Sequence, residues 1–153
     1  MRLIAYGDSD WAGCKASRRS LSGGVVVLGG GFLKGWSNRQ VTVALSSAEA
    51  EFYASTKAAV ETLGVESLLA DLGWKVEVKS VFTDSNAARA MASRRGLGRT
   101  RHIEVRRLRL QEAVETRGIL LGRVDGKSNQ ADSLTKQKSF KEAVEKFAEV
   151  NMK

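Results

Sequence analysis

The chain reads as one α/β domain on a mixed five-stranded sheet, three antiparallel strands followed by two parallel ones, flanked by helices. Three observations in the 153 residues predict this. Three strand-like runs come first, joined by short glycine-rich connections that suit antiparallel neighbours. One long stretch of helical periodicity follows them. Each later strand-like run then returns only after a helical segment, as parallel crossovers require.

Taken in order, residues 3–8 ("LIAYGD") alternate, which puts Ile4, Tyr6 and Asp8 on one strand face with Asp10 just beyond. "SGGVVVLGGG" and "FLKGWS" predict strands at about 22–29 and 32–37, joined as a hairpin. From Ser46 to Leu72 the spacing of Phe52, Ala59, Leu63, Leu68, Leu69 and Leu72 predicts a helix, ended by Gly73. "VEVKSVF" predicts a fourth strand, with Asp84 at its end. A short helix is expected at 85–93, a Gly/Arg loop at 94–99 and another helix at 101–117. "ILLGRV" predicts the fifth strand, ending at Asp125, and a last helix is expected over Gln130–Val150 with a break near Lys138. Proline is absent, so glycine and periodicity alone set these boundaries.

Composition bounds the rest. A length of 153 residues suits a single domain over 1–153, and no apolar run approaches the ~20 residues of a membrane span. A strand-like run beginning at Leu3 leaves no room for a targeting peptide and suits a segment cut from a longer chain. The lone Cys14 excludes an internal disulfide and fits a reducing, cytoplasmic setting. One cysteine and one histidine give a structural zinc site almost nothing to work with. A net charge of +8 favours a polyanionic partner, most simply nucleic acid, although a solubilising surface is the plainer alternative. Clustering favours the polyanion: "RRGLGRTRHIEVRRLR", residues 94–109, holds seven arginines against one glutamate. Because Arg107 lies i+3 from Glu104, part of that run also reads as a paired, solvated helix face.

The acidic residues carry the chemistry. Ser46-Ser47-Ala48-Glu49 matches a capping box, in which Glu49 reaches back to the amide of Ser46. Glu49 and Glu51 are ~200° apart around a helix, so they do not serve one site from the same face. Glu51 is left either facing solvent or pointing inward. Asp8 and Asp84 each end a strand, where sites in α/β sheets collect, although Asp84 also suits an N-cap. Asp10 shares Asp8's face on an extended chain or starts a turn before Trp11. Asp132, in "SNQADSLTK", falls in the first turn of a helix capped by Ser128 or Asn129, where it also suits the helix dipole. Four carboxylates gathered at one sheet edge do not all stay ionised without cations. An oxygen-only ligand set selects hard ions, Mg²⁺ with Mn²⁺ as a substitute.

"YGDSDWAGCKASRRSLSGGVVVLGG", "WSNRQVTVALSSAEAEFYA", "TDSNAA", "RTRHIEVR" and "NQADSLTK" closely resemble, in order and spacing, the ribonuclease H domain of copia-type LTR-retrotransposon polyproteins. The match runs from about residue 4 to 140. The resemblance implies the ribonuclease H-like fold and endonucleolytic hydrolysis of the RNA strand of RNA–DNA hybrids, leaving 5′-phosphate and 3′-hydroxyl ends. It implies two Mg²⁺ ions held by Asp8, Glu51, Asp84 and Asp132, with Asp8 bridging, Glu51 and Asp84 on one ion and Asp132 on the other. It thereby assigns Glu49 to the helix cap and Glu51 to the metal. Family position also makes Ser9, Asp10, Trp11, Ser85 and Asn86 candidates for reading RNA 2′-hydroxyls. Arg94, Arg95, Arg99 and Arg101 are candidates for gripping DNA phosphates, and Lys15, Arg18 and Arg19 form a second basic cluster.

The implied partners are an RNA–DNA hybrid and the rest of a reverse transcriptase polyprotein, with the isolated domain a monomer. Many ribonucleases H carry a histidine in the loop before the last helix, but "VDGKSNQAD" has none, which implies slow turnover. His102 instead lies in the "RHIEVR" motif, where a structural or phosphate contact is expected; the family usually has Asp at position 104, here Glu. Two other readings stand beside the enzyme: a non-catalytic hybrid-binding module of the same fold, and a transposase-like DNA strand-transfer enzyme. The order Asp8, Glu51, Asp84, Asp132 counts against the latter.

Overall fold

Strand β1 (Arg2–Asp10) forms the centre of a five-stranded sheet in a computed structural model of the chain, which describes residues 1–93 and 104–136. Strands β2 (Leu21–Leu28) and β3 (Gly31–Arg39) continue as an antiparallel meander on one side of β1. Strands β4 (Val78–Thr83) and β5 (Ile119–Arg123) add in parallel on the other, so the order is β3-β2-β1-β4-β5. This is the mixed sheet that the alternation of strand-like and helical segments predicts. The observed strands begin and end within two or three residues of the expected positions.

The two parallel additions demand crossovers. Helix α1 (Ser47–Asp71) provides the first, and α2 (Asn86–Ser93) and α3 (Glu104–Glu115) lie within the second. Helix α1 runs nearly the full length the periodicity predicts, and it stops where Gly73 takes φ +80°, a conformation costly for a residue with a Cβ. Its buried face carries Phe52, Ala58 and Ala59 onto Leu3, Ala5 and Val81 of the sheet. No helix among the described residues is long and apolar enough to cross a membrane.

The opposite face of the sheet is covered locally by a short helix, α4 (Asp132–Thr135), whose Leu134 packs with Val25, Val27, Ile4 and Tyr6. The last helix starts two residues later than expected and breaks two residues sooner. It starts at Asp132, and it ends at Lys136, which adopts extended backbone (φ −104°, ψ 143°). Tertiary contacts override helix propensity here. The hydroxyl of Ser37 donates to the carbonyl of Leu134 at 2.6 Å and Thr135 is drawn onto β1, fixing the turn to the sheet. The rest of the expected helix, to Val150, lies outside the described residues.

Candidate active site

The carboxyl ends of β1 and β4 are neighbours, because the two strands pair in parallel with Tyr6 opposite Phe82. Asp8 and Asp84 are each two residues further on, so the register alone brings them to one edge. Glu51 arrives from the first turns of α1. One oxygen from each of Asp8, Glu51 and Asp84 lies within 4.8 Å of the others. Asp132, at the start of α4, is close enough to raise the proton affinity of Asp8, but it stands outside that tight group and forms an ion pair with Lys136 Nζ at 2.5 Å. Asp10 is also outside it; its carboxylate lies over Gly13 in the turn after β1, and its carbonyl accepts from Gly13 N–H at 3.3 Å.

Glu51 and Asp8 are each held by their own donors. Ser9, on the α1 face of β1, donates from its backbone N–H at 2.9 Å and its hydroxyl at 2.7 Å to Oε1 of Glu51. Thr83 Oγ1 lies 3.5 Å from Oε2. Asp8, only 5% exposed, takes a short hydrogen bond on Oδ2 from the hydroxyl of Thr135. Asp84 is not the cap of α2. Ser85 fills that position, its hydroxyl accepting from Ala88 N–H at 3.1 Å. The Asp84 carboxylate is thereby released to the cluster.

The two glutamates separate as the helix geometry requires. Glu49 is buried at 3% exposure and does close the start of α1, but not as a reciprocal box. The Ser46 hydroxyl accepts from Glu49 N–H at 3.2 Å as expected, while Glu49 Oε2 accepts from the amide of Leu45 at 2.8 Å rather than that of Ser46. The Tyr53 hydroxyl, one turn on, donates to its other oxygen. A buried phenol within reach favours drawing the carboxylate inward, away from the cap residue's own amide.

Electrostatics mark the site. Burial, reinforced by Asp84 and Asp132, pushes Asp8 up to about 6 against the pull of Thr135. Burial, with Asp8 and Asp84 adding repulsion, pushes Glu51 up to about 7 against the pull of Ser9. Such a set fits a hard cation. All the converging donors are carboxylate oxygens, and the neighbouring acids raise the proton affinity of both Asp8 and Glu51. The folded protein without metal binds more protons here than the unfolded chain does. Its stability is therefore expected to fall as pH rises from about 4 to about 7 and then to level off. Urea denaturation in EDTA across this range, with the Asp8→Asn/Glu51→Gln double variant as reference, checks this; the double variant should lack that component of the slope.

The other residues expected at the site divide. The Trp11 indole N–H donates to Ala44 carbonyl at 3.1 Å, tying the end of β1 to the loop before α1. Asn86 is exposed at the first residue of α2. Ser85 spends its hydroxyl on the cap, and Ser9 spends both of its donors on Glu51. Arg94, Arg95, Arg99, Arg101 and His102 lie outside the described residues. The reading of the sequence missed Thr135, Thr83, Lys136 and the structural use of Asn129. Only the Lys136–Asp132 contact carries a local signal, an i,i+4 spacing. Asn129 is fully buried and does not cap α4. Its amide donates to Gly7 carbonyl at 3.1 Å while its carbonyl accepts from Ala131 N–H at 3.2 Å, pinning the approach to α4 beneath β1. Ala131 occupies the cap position with no side-chain hydrogen bond.

No family model matches the chain. It is 33% identical over 135 residues to the retrovirus-related Pol polyprotein from transposon TNT 1-94 of Nicotiana tabacum, a match covering 88% of this chain and 10% of the polyprotein. The chain thus spans about a tenth of the length of that relative. Among solved structures it superposes on LC11-RNase H1, isolated from compost by a metagenomic approach, with a TM-score of 0.65 at 17% identity over 95% of this chain and 96% of that one. The same enzyme in complex with an RNA/DNA hybrid matches with a TM-score of 0.58, at 17% identity over 94% and 97% of the two chains. The chain is homologous to a segment of retrovirus-related Pol polyproteins of transposons, and it has the ribonuclease H fold.

Proposed function

We propose that the chain is a metal-dependent endoribonuclease that hydrolyses the RNA strand of RNA–DNA hybrids, acting within a larger reverse transcriptase polyprotein. The observation that carries the reading is the meeting of Asp8, Glu51 and Asp84 at the ends of two parallel strands in a ribonuclease H fold. The hybrid-bound relative of the same fold supports the substrate class.

Asp8, Glu51, Asp84 and Asp132 would hold Mg²⁺, or Mn²⁺ in its place. When bound, a pair of such ions activates water and stabilises the leaving oxygen of a phosphodiester. The chain's own groups prepare the site for this. Ser9 locks one oxygen of Glu51, so that the carboxylate does not swing away from Asp8 and Asp84. Asp132 joins the set by yielding Lys136, which then returns to the water-exposed side where most of its side chain already lies. Lys136 holds its proton tightly, chiefly through the hydrogen bond to Asp132, and is a cation throughout the neutral range. Because both donors of Ser9 are used on Glu51, donation to a 2′-hydroxyl falls to the backbone of Asp10 and Trp11 and to the exposed Asn86. The loop arginines Arg94, Arg95, Arg99 and Arg101 take the DNA phosphates.

The test is cleavage of a hybrid labelled separately on each strand, with Mg²⁺ and with EDTA, by the wild type and Asp84→Asn. Metal-dependent cutting of the RNA strand alone, lost in the variant, is expected. Hybrid binding without cleavage in either Mg²⁺ or Mn²⁺ would favour a non-catalytic binding module.

A further inference from the structure

The side chain that hydrogen-bonds the Asp8 carboxylate comes from a distant part of the chain. The Thr135 hydroxyl donates to Oδ2 of Asp8 across 127 residues of sequence, and it also lies 3.2 Å from the carbonyl of Asp132. A hydroxyl has one proton to give. The closer, charged acceptor takes it, so the bond to Asp8 is the charge-assisted and stronger one. Thr135 is itself buried.

The approach is built into the sheet. Gly23 on β2 is the cross-strand partner of Asp8. A Cβ on Gly23 would come within 2.7 Å of Thr135 Cγ2 and 3.0 Å of Leu134 Cβ. A bare position opposite Asp8 is therefore what lets α4 sit low enough for the hydroxyl to reach the carboxylate. Ser37, on β3, fixes the same turn through the carbonyl of Leu134. Among the described residues, Oδ1 of Asp8 accepts no hydrogen bond, so one oxygen is clamped and the other has no donor from the protein.

From this we infer that Thr135 is a positioning residue for Asp8: its hydroxyl, seated over Gly23, clamps one carboxylate oxygen and turns the other toward the divalent cations. The inference rests on the function proposed above. It couples β1 to the turn that carries Asp132, so that the two acids most distant in sequence are set by one hydroxyl.

Thr135→Val keeps the shape and removes the donor; Thr135→Ser keeps the donor. Mn²⁺ affinity of the purified proteins, read by titration calorimetry or by the paramagnetic resonance of free Mn²⁺, is expected to weaken about 10–100-fold in the valine variant, the usual cost of losing a ligand's supporting hydrogen bond. The serine variant should stay close to wild type. Hybrid cleavage by Thr135→Val should fail at low Mn²⁺ and recover as Mn²⁺ is raised, with KM for the hybrid unchanged. A purely structural role would instead lower the melting temperature without this metal-dependent rescue. Gly23→Ala, which retains every hydroxyl but displaces Thr135, should weaken Mn²⁺ binding in the same direction and serves if the valine variant does not fold. Wild-type Mn²⁺ affinity in a folded Thr135→Val or Gly23→Ala overturns the inference and leaves the proposed function standing. A wild type that binds no Mn²⁺ and cuts no hybrid overturns both.

Discussion

Glu51→Gln is expected to abolish cleavage of the RNA strand while leaving the protein folded. The loss should be at least about 10²–10³-fold, the order found when one preorganised electrostatic group is removed from an active centre. Stability should not suffer, because the native fold already works against the charge at this position: burial and the neighbouring acids raise Glu51 to about 7. A neutral amide still accepts the two hydrogen bonds of Ser9 on its oxygen. The matched control is Glu49→Gln. There the carboxylate accepts from Leu45 N–H on one side and the Tyr53 hydroxyl on the other; an amide keeps the first bond on its oxygen and donates to the Tyr53 oxygen from its NH2, so both contacts persist but lose their charge assistance. That variant should lose roughly 1–2 kcal/mol of stability, the difference between hydrogen bonds to a charged and to a neutral group, yet retain most activity wherever it is folded. Cleavage rates and urea midpoints for the two variants decide the matter. Activity surviving in Glu51→Gln but lost in Glu49→Gln would reverse the assignment.

Phe52→Ala should be among the most damaging single substitutions to the fold. Its ring is 0% exposed and is the largest fully buried side chain among the described residues, packed among Leu3, Ala5 and Val81 where α1 meets the sheet. Removing a buried phenylalanine costs about 3–5 kcal/mol, through lost transfer energy and the cavity left behind. Residue 52 also follows the candidate ligand directly, so the same contact that anchors α1 fixes the direction in which Glu51 leaves it. Urea denaturation should show a much lower midpoint with an unchanged slope, and a shift no larger than that of a surface substitution would contradict the packing described.

Much of this architecture was legible in the residues. Alternation and glycine spacing predict all five strands, and the pattern from Ser46 to Leu72 predicts α1 almost to its ends, because both signals are local consequences of which face is buried. The acids at the ends of β1 and β4 were also visible, since a strand's end is marked by where its apolar pattern stops. The choice between roles was not. Asp84 and Ser85 are both good N-caps, and only the fold shows that the serine takes the helix and leaves the aspartate to the site. Glu49 has a capping-box spacing, but its partner amide is one residue earlier because Tyr53 and burial pull the carboxylate inward. Thr135 carried no signal of its role, and Asn129 carried only that of a helix cap. Their partners, Asp8 and Gly7, are 127 and 122 residues away, and no local rule connects a hydroxyl or an amide to a strand at that distance.

The proposed chemistry requires Asp8, Glu51 and Asp84 to share cations, and crystals grown or soaked in Mn²⁺ test this most directly through the anomalous signal of the ion. A peak bonded to oxygens of Asp8, Glu51 and Asp84, weakened in Asp84→Asn, is the predicted result. Well-ordered carboxylates at saturating Mn²⁺ with no peak among them would contradict it.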